Sequence, residues 1–234
     1  MIRRRAQAGQ LEAAASLPAA KRPGPGSFPV QQAKRLGPWL LFFGLLFWRW
    51  HAPLFTTIPG YGDALEVAWG IRWYATALTT PGVALGFYAN AFYPEGWQVA
   101  TFAYGPALLL PLAGLSGLGG VAFAYNAGAI LTQIIAFAGT LRLGRLFTGS
   151  LLVATLVALL YTFWGFRWVR AFGHMNILLG SALLPWIAWS LERGMRSNRC
   201  FSRWALLAGL FWALAVSAAL YFIWIGGLIV LVWL

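Results

Sequence analysis

A chain of 234 residues with 60% hydrophobic and 9% charged side chains departs far from a soluble domain, in which about a quarter of residues are charged. Its long uncharged runs point instead to an all-α fold, a polytopic transmembrane helix bundle whose first partner is the lipid bilayer. The formal charge of +12 argues for no nucleic acid, because the arginines are dispersed between apolar runs in the manner of a positive-inside bias. The single cysteine, Cys200, excludes an internal disulfide and a cysteine-built metal site.

Residues 1–36 are basic and rich in Pro, Gly and Ala, and lack the apolar core of a signal peptide. They read as a disordered cytoplasmic tail ahead of a transmembrane domain over 37–234, with about five or six spans and an outer loop over 59–119. Seven lysines and arginines (Arg3, Arg4, Arg5, Lys21, Arg22, Lys34, Arg35) precede the first apolar run, which keeps the N-terminus in the cytoplasm. A bacterial cytoplasmic (inner) membrane is the expected setting. The first span is predicted from Pro38 to about Ile58. Its Trp48, Arg49, Trp50 and His51 read as interfacial anchors, with Arg49 or His51 against an anionic lipid headgroup as the functional alternative.

Three of the five acidic residues, Asp63, Glu66 and Glu95, follow in one loop, and Asp63 is the only aspartate. Asp63 with Glu66 three residues later forms a capping-box pattern, which predicts a helix starting at Asp63. Leu65, Trp69 and Trp73 fall on one stripe, widened by Ala68, Ile71, Ala75 and Leu78, so the helix is expected to lie on the bilayer surface. Thr79, Thr80, Pro81 and Gly82 stop it. Phe87 to Trp97, an aromatic stretch without helical or strand period, reads as a binding loop.

Val99 to Gly120 is long enough to cross, yet Pro106, Pro111 and several glycines interrupt it. Further spans are predicted over Gly120–Leu141, Ser150 to about Phe166, about Ala171 to Leu191, and from Trp204 onward with a break near Ser217 to Tyr221. Arg142 and Arg145, Arg167 and Arg170, and Arg193, Arg196, Arg199 and Arg203 occupy the connections. A full crossing at Val99–Gly120 would leave the most basic connection outside; a re-entrant or juxtamembrane segment leaves only Arg167 and Arg170 there. The second arrangement costs less. It brings Arg167, Arg170, His174 and Asn176 to the side that bears Asp63 and Glu66, a group able to deprotonate an acceptor and hold an anionic leaving group. The chain stops inside apolar sequence, which reads as a fragment or a truncated frame.

A span leaving the cytoplasm, an outer loop opening with Gly62-Asp63 ahead of Trp69 and Trp73, and a Phe92-Tyr93-Pro94 segment resemble the GT-C-fold membrane glycosyltransferases. Tyr125-Asn126, the run from Leu141 to Ser150, Gly173 to Asn176, and Leu184-Pro185 extend the likeness over roughly residues 37 to 225. The resemblance implies transfer of a sugar from a polyprenyl-phosphate-linked donor to an acceptor at the outer face, with Asp63 as general base. Where many members carry a second acid, this chain has Arg170, His174 and Asn176. Candidate catalytic residues are therefore Asp63 and Glu66; candidate donor-phosphate and substrate contacts are Arg167, Arg170, His174, Asn176, Tyr93 and Glu95.

Plainer readings stand beside each. Asp63 and Glu66 serve equally as helix caps, Glu95 as a turn residue, and Arg167 and Arg170 as snorkelling side chains. His174 has no second ligand at metal spacing, so no protein-built metal site is expected; a divalent metal ion stays open as a cofactor. The alternatives to an enzyme are a flippase-like transporter of lipid-linked saccharide and a non-catalytic membrane scaffold. Donor sugar, acceptor and oligomeric state are not legible.

Overall fold

The computed structural model describes residues 28–60, 62–85, 87–88, 96–98, 105–196 and 203–233. By contacts the chain divides into two units, Met1–Leu45 and Leu46–Leu234. It is mostly helical.

The described part of the first unit belongs to α1 (Phe28–Arg49). Trp39, Phe42 and Phe43 pack their rings together there, Trp39 edge-on to Phe42 at 6.1 Å and Phe42 edge-on to Phe43 at 5.1 Å. The helix differs from expectation at both ends. It includes residues 28–36, read from sequence as tail, and it ends at Arg49 rather than near Ile58. Pro53 accounts for the early stop, since proline disfavours helical backbone in the residue before it.

The first helix that lies wholly in the second unit is α2 (Asp63–Thr79). Its N-cap is Gly62, at φ 55; Asp63, expected as the N-cap, is instead the first helical residue, and the Glu66 N–H reaches the Gly62 carbonyl at 3.3 Å. Ala64, Val67, Ala68, Ile71 and Tyr74 form the buried face, while Leu65 and Leu78 are exposed. The expected stripe is therefore rotated: Trp69 and Trp73 flank the buried face, stacked on each other at 6.4 Å and met edge-on by Tyr88. The helix stops at Thr80, ahead of Pro81 and Gly82, as its sequence predicts. Tyr88 belongs to β1 (Phe87–Tyr88), which pairs antiparallel with β2 (Trp97–Gln98). This ladder closes the base of a segment expected to have no strand.

α3 (Pro106–Thr148) is two helices joined by a bend at Gly119 and Gly120, where Gly120 takes φ 81. The first limb, about 13 residues, rises only ~20 Å, less than the ~30 Å of a hydrocarbon core. It packs back on the second limb: a Cβ on Gly128 would overlap Leu112, and Leu108, Leu109, Leu112, Ala124, Tyr125 and Ala129 share one core with α2. The second limb continues through Arg142 and Arg145, which were expected in a loop, and ends at Gly149 in the left-handed conformation. Among the described residues, Pro106–Thr148 is the one helix long and apolar enough to cross a membrane.

Ser150 caps α4 (Leu151–Phe163), its hydroxyl accepting from the Val153 N–H. Then come α5 (Gly165–Arg170), α6 (Met175–Arg196), α7 (Arg203–Ala218) and α8 (Phe222–Trp233). α6 packs against α3, α7 and α8. The break between α7 and α8 falls within the predicted Ser217 to Tyr221. Along α4 the small and polar residues Ala154, Thr155, Ala158 and Thr162 face inward, whereas Leu152, Leu156 and Leu160 are exposed. α7 and α8 repeat the pattern, with Ala208, Ala215 and Ala218 inside and Leu206, Leu210, Trp224, Leu228 and Leu231 outside.

The contacts define two ends. At one, Gly105 and Ala107 meet the last turn of α7 through Ala218 O and Ser217 Oγ. At the other, Arg196 donates to Leu146 O, joining the end of α6 to the end of the second α3 limb.

Candidate functional site

Asp63 and His174 meet at the first end. Asp63 sits in the first turn of α2, where a negative charge is favoured by the unpaired N–H groups of the helix start. His174 lies just before α6, its carbonyl accepting from Leu178 N–H at 3.0 Å. The Asp63 carboxylate accepts from His174 at 2.5 Å between Oδ2 and Nδ1, and both side chains stay partly exposed, at 41% and 36%. The pair is accessible.

Two close approaches hold the strands of chain that carry it. Gly60 has φ 110, and a Cβ there would overlap the Phe172 carbonyl; only glycine lets the chain at position 60 pass so near the α5–α6 turn. Gly173 lies beside Asp63, at a distance where its own Cβ would make an ordinary contact with that of Asp63.

Buried side chains of α3 tie down both sides of the pair. Tyr125 donates its hydroxyl to Ala171 O at 3.1 Å. Asn126 Nδ2 lies within reach of the carbonyls of Leu54 at 3.1 Å, Thr57 at 2.8 Å and Ala122 at 2.9 Å. The chain entering α2 and the chain entering α6 are thus fastened to neighbouring residues of one helix. Trp50 adds a third tie, stacking on Phe172 and meeting Trp168 edge-on, with Arg49 over the Trp168 ring at 5.2 Å.

His174 also lines a cavity of about 630 Å³ with Arg167, Arg170, Tyr161, Ser181 and apolar residues of α5, α6 and α8. Arg167 is buried. Its guanidinium donates to Leu178 O at 3.3 Å and Gln133 Oε1 at 3.2 Å, contacts Ser181 Oγ, and lies over the Tyr161 ring. Every one of these partners is neutral, and burial pushes the guanidinium below its usual pKa. Arg170 is half-buried over the Phe166 ring at 4.8 Å. The Nε atoms of Arg167 and Arg170 are buried without a hydrogen-bond partner among the described residues. A pocket lined by two arginines and apolar walls suits an anionic group attached to a hydrocarbon chain.

The sequence-predicted residues divide accordingly. Asp63, His174, Arg167 and Arg170 come together, with Asp63 reaching the cavity through His174. Glu66 is exposed one turn further along α2 and does not line the cavity. Asn176 is buried in the first turn of α6, its Oδ1 accepting from Ile177 N–H at 2.8 Å. Tyr93 and Glu95 lie outside the described residues. Gln133, Tyr161 and Ser181 escaped the sequence reading, although isolated polar residues inside apolar runs are the signal that marks such positions. No three His, Cys, Asp or Glu side chains converge among the described residues.

Comparison with family models, with curated proteins and with solved structures finds no match.

Proposed function

We propose that the chain is a polytopic membrane protein whose Asp63 end carries a GT-C-like glycosyltransferase site, moving a sugar from a polyprenyl-phosphate-linked donor to an acceptor at the outer face. The membrane reading is supported by the surfaces of α4, α7 and α8. Large apolar side chains outside and small ones at helix contacts are what packing in lipid favours, and a water-soluble monomer rarely exposes so continuous an apolar surface. Arg142, Arg145, Arg193, Arg196 and Arg203 gather at the end away from Asp63, which favours a cytoplasmic position for them and an outer position for the pair.

The observation that carries the catalytic reading is the Asp63–His174 contact at the edge of the Arg167 cavity. An acceptor hydroxyl beside Asp63 gives its proton to the carboxylate as its oxygen bonds to the anomeric carbon. The bond from that carbon to the phosphate oxygen breaks, and its electron pair leaves with the phosphate. Arg167 and Arg170 offset the charge that collects there. His174 orients the carboxylate.

Asp63→Asn in the full chain tests this reading: transfer from a radiolabelled polyprenyl-phosphate sugar is lost while donor binding is retained. Unchanged transfer removes Asp63 from the mechanism. Movement of donor between leaflets that depends on Asp63, with no transfer by the native chain, identifies a transporter instead.

A further inference from the structure

The end of the helices opposite Asp63 carries an arginine cluster unlike the scattered charges of a connecting loop. Arg142 on α3 lies 4.8 Å over Trp186 and 5.6 Å over Trp189 of α6. Arg193 of α6 lies 5.8 Å over Trp189 and 5.5 Å over Trp204 of α7, and Arg203 lies 4.9 Å over Trp204. Trp189 and Trp204 meet edge-on at 5.1 Å. Three helices therefore contribute guanidinium groups to one pair of indoles.

Two features say what such a cluster receives. Glu192 is the only acidic residue in the sequence beyond Glu95, and it accepts from Arg196 at 2.7 Å, so the charge of Arg142, Arg193 and Arg203 far exceeds the local supply of carboxylate. A guanidinium over an indole spends no N–H on a carboxylate in that contact, and its N–H groups match the oxygens of a phosphate in two parallel hydrogen bonds. The arginines are exposed and the indoles half-buried, the depth relation of a headgroup site with tryptophan at its base.

We infer that this cluster binds the phosphate headgroup of an anionic phospholipid in the surrounding leaflet. The site rests on the membrane reading above and is independent of sugar transfer. Basic pockets between helices at the cytoplasmic surface attract anionic lipid in this way, each arginine contributing about a fivefold preference.

The full chain is reconstituted in phosphatidylcholine vesicles containing a small fraction of either brominated phosphatidylcholine or brominated phosphatidylglycerol, and tryptophan fluorescence is read. The expected result is stronger quenching by the brominated anionic lipid. That excess falls in the Trp186→Phe/Trp189→Phe/Trp204→Phe triple variant, falls about fivefold for each of Arg142→Gln and Arg193→Gln, and shrinks with added salt. Equal quenching by the two lipids, or an excess that survives all these variants, overturns the site. Failure of the chain to float with vesicles of either composition overturns the membrane reading, and the site with it.

Discussion

His174 Nδ1 approaches Asp63 Oδ2 to 2.5 Å, and the contact exists because Gly60 lets the chain ahead of α2 pass directly over the Phe172 carbonyl. The juxtaposition depends on a backbone approach that no side chain could share. Gly60→Ala is therefore expected to separate Asp63 from His174 and to destabilise the fold by about 2 kcal/mol, through both the overlap and the positive φ. Thermal unfolding in detergent, followed by circular dichroism, checks the stability; an unchanged melting temperature contradicts the close approach.

Asn126 provides the second restraint. Asn126→Leu leaves the carbonyls of Leu54 and Thr57 without their side-chain donor, and a loss of about 1–3 kcal/mol follows for buried polar groups left unsatisfied. Faster protease cleavage between residues 50 and 60 accompanies it. The same substitution at the exposed Glu66 is expected to change the melting temperature little.

Arg167 separates positioning from ligand binding. Gln133→Leu removes one neutral partner from the buried guanidinium and destabilises the chain by about 1–3 kcal/mol. Arg167→Met relieves the buried charge, so it lowers binding of a polyprenyl phosphate more than tenfold at little cost in stability. Measuring melting temperature and lipid-phosphate affinity on both variants checks the split. An Arg167→Met chain that binds as the native one does removes Arg167 from the phosphate contact.

Gly120 is the hinge of the bent helix. Its φ of 81 makes Gly120→Ala unfavourable by about 1–2 kcal/mol, whereas Gly114→Ala, which meets no neighbour inside the first limb, stabilises by about 0.5–1 kcal/mol. Opposite shifts in melting temperature are the expected pair of results.

Much of this arrangement is legible in the sequence where local chemistry decides it. Pro81-Gly82 ends α2, Gly119-Gly120 breaks the ambiguous apolar segment, and the break after Ser217 divides the last helices. Counting arginines along the chain also places Asp63 and His174 at one end. What the sequence hides depends on partners distant along the chain. Arg142 and Arg145 read as a loop, yet stay helical, and Arg142 packs on Trp186 and Trp189. Gly62, and not Asp63, caps α2, since its backbone already turns through a positive φ. The buried face of α2 is rotated from the tryptophan stripe because Ala64, Val67 and Ile71 join the core built from both limbs of α3 and the start of α6. The environment of Arg167 needs Gln133 and Ser181 from two other helices, each an unremarkable polar residue by itself.

On the proposed reading, Asp63 and His174 act as one unit on an acceptor beside the Arg167 cavity. A double-mutant cycle of Asp63→Asn and His174→Gln, read as single-turnover sugar transfer from a radiolabelled polyprenyl-phosphate donor, tests it most directly. Each single variant is expected to lose at least about a hundredfold, and the double variant to lose no more than the worse of the two. Native-rate transfer by Asp63→Asn, or losses that multiply in the double variant, would contradict it.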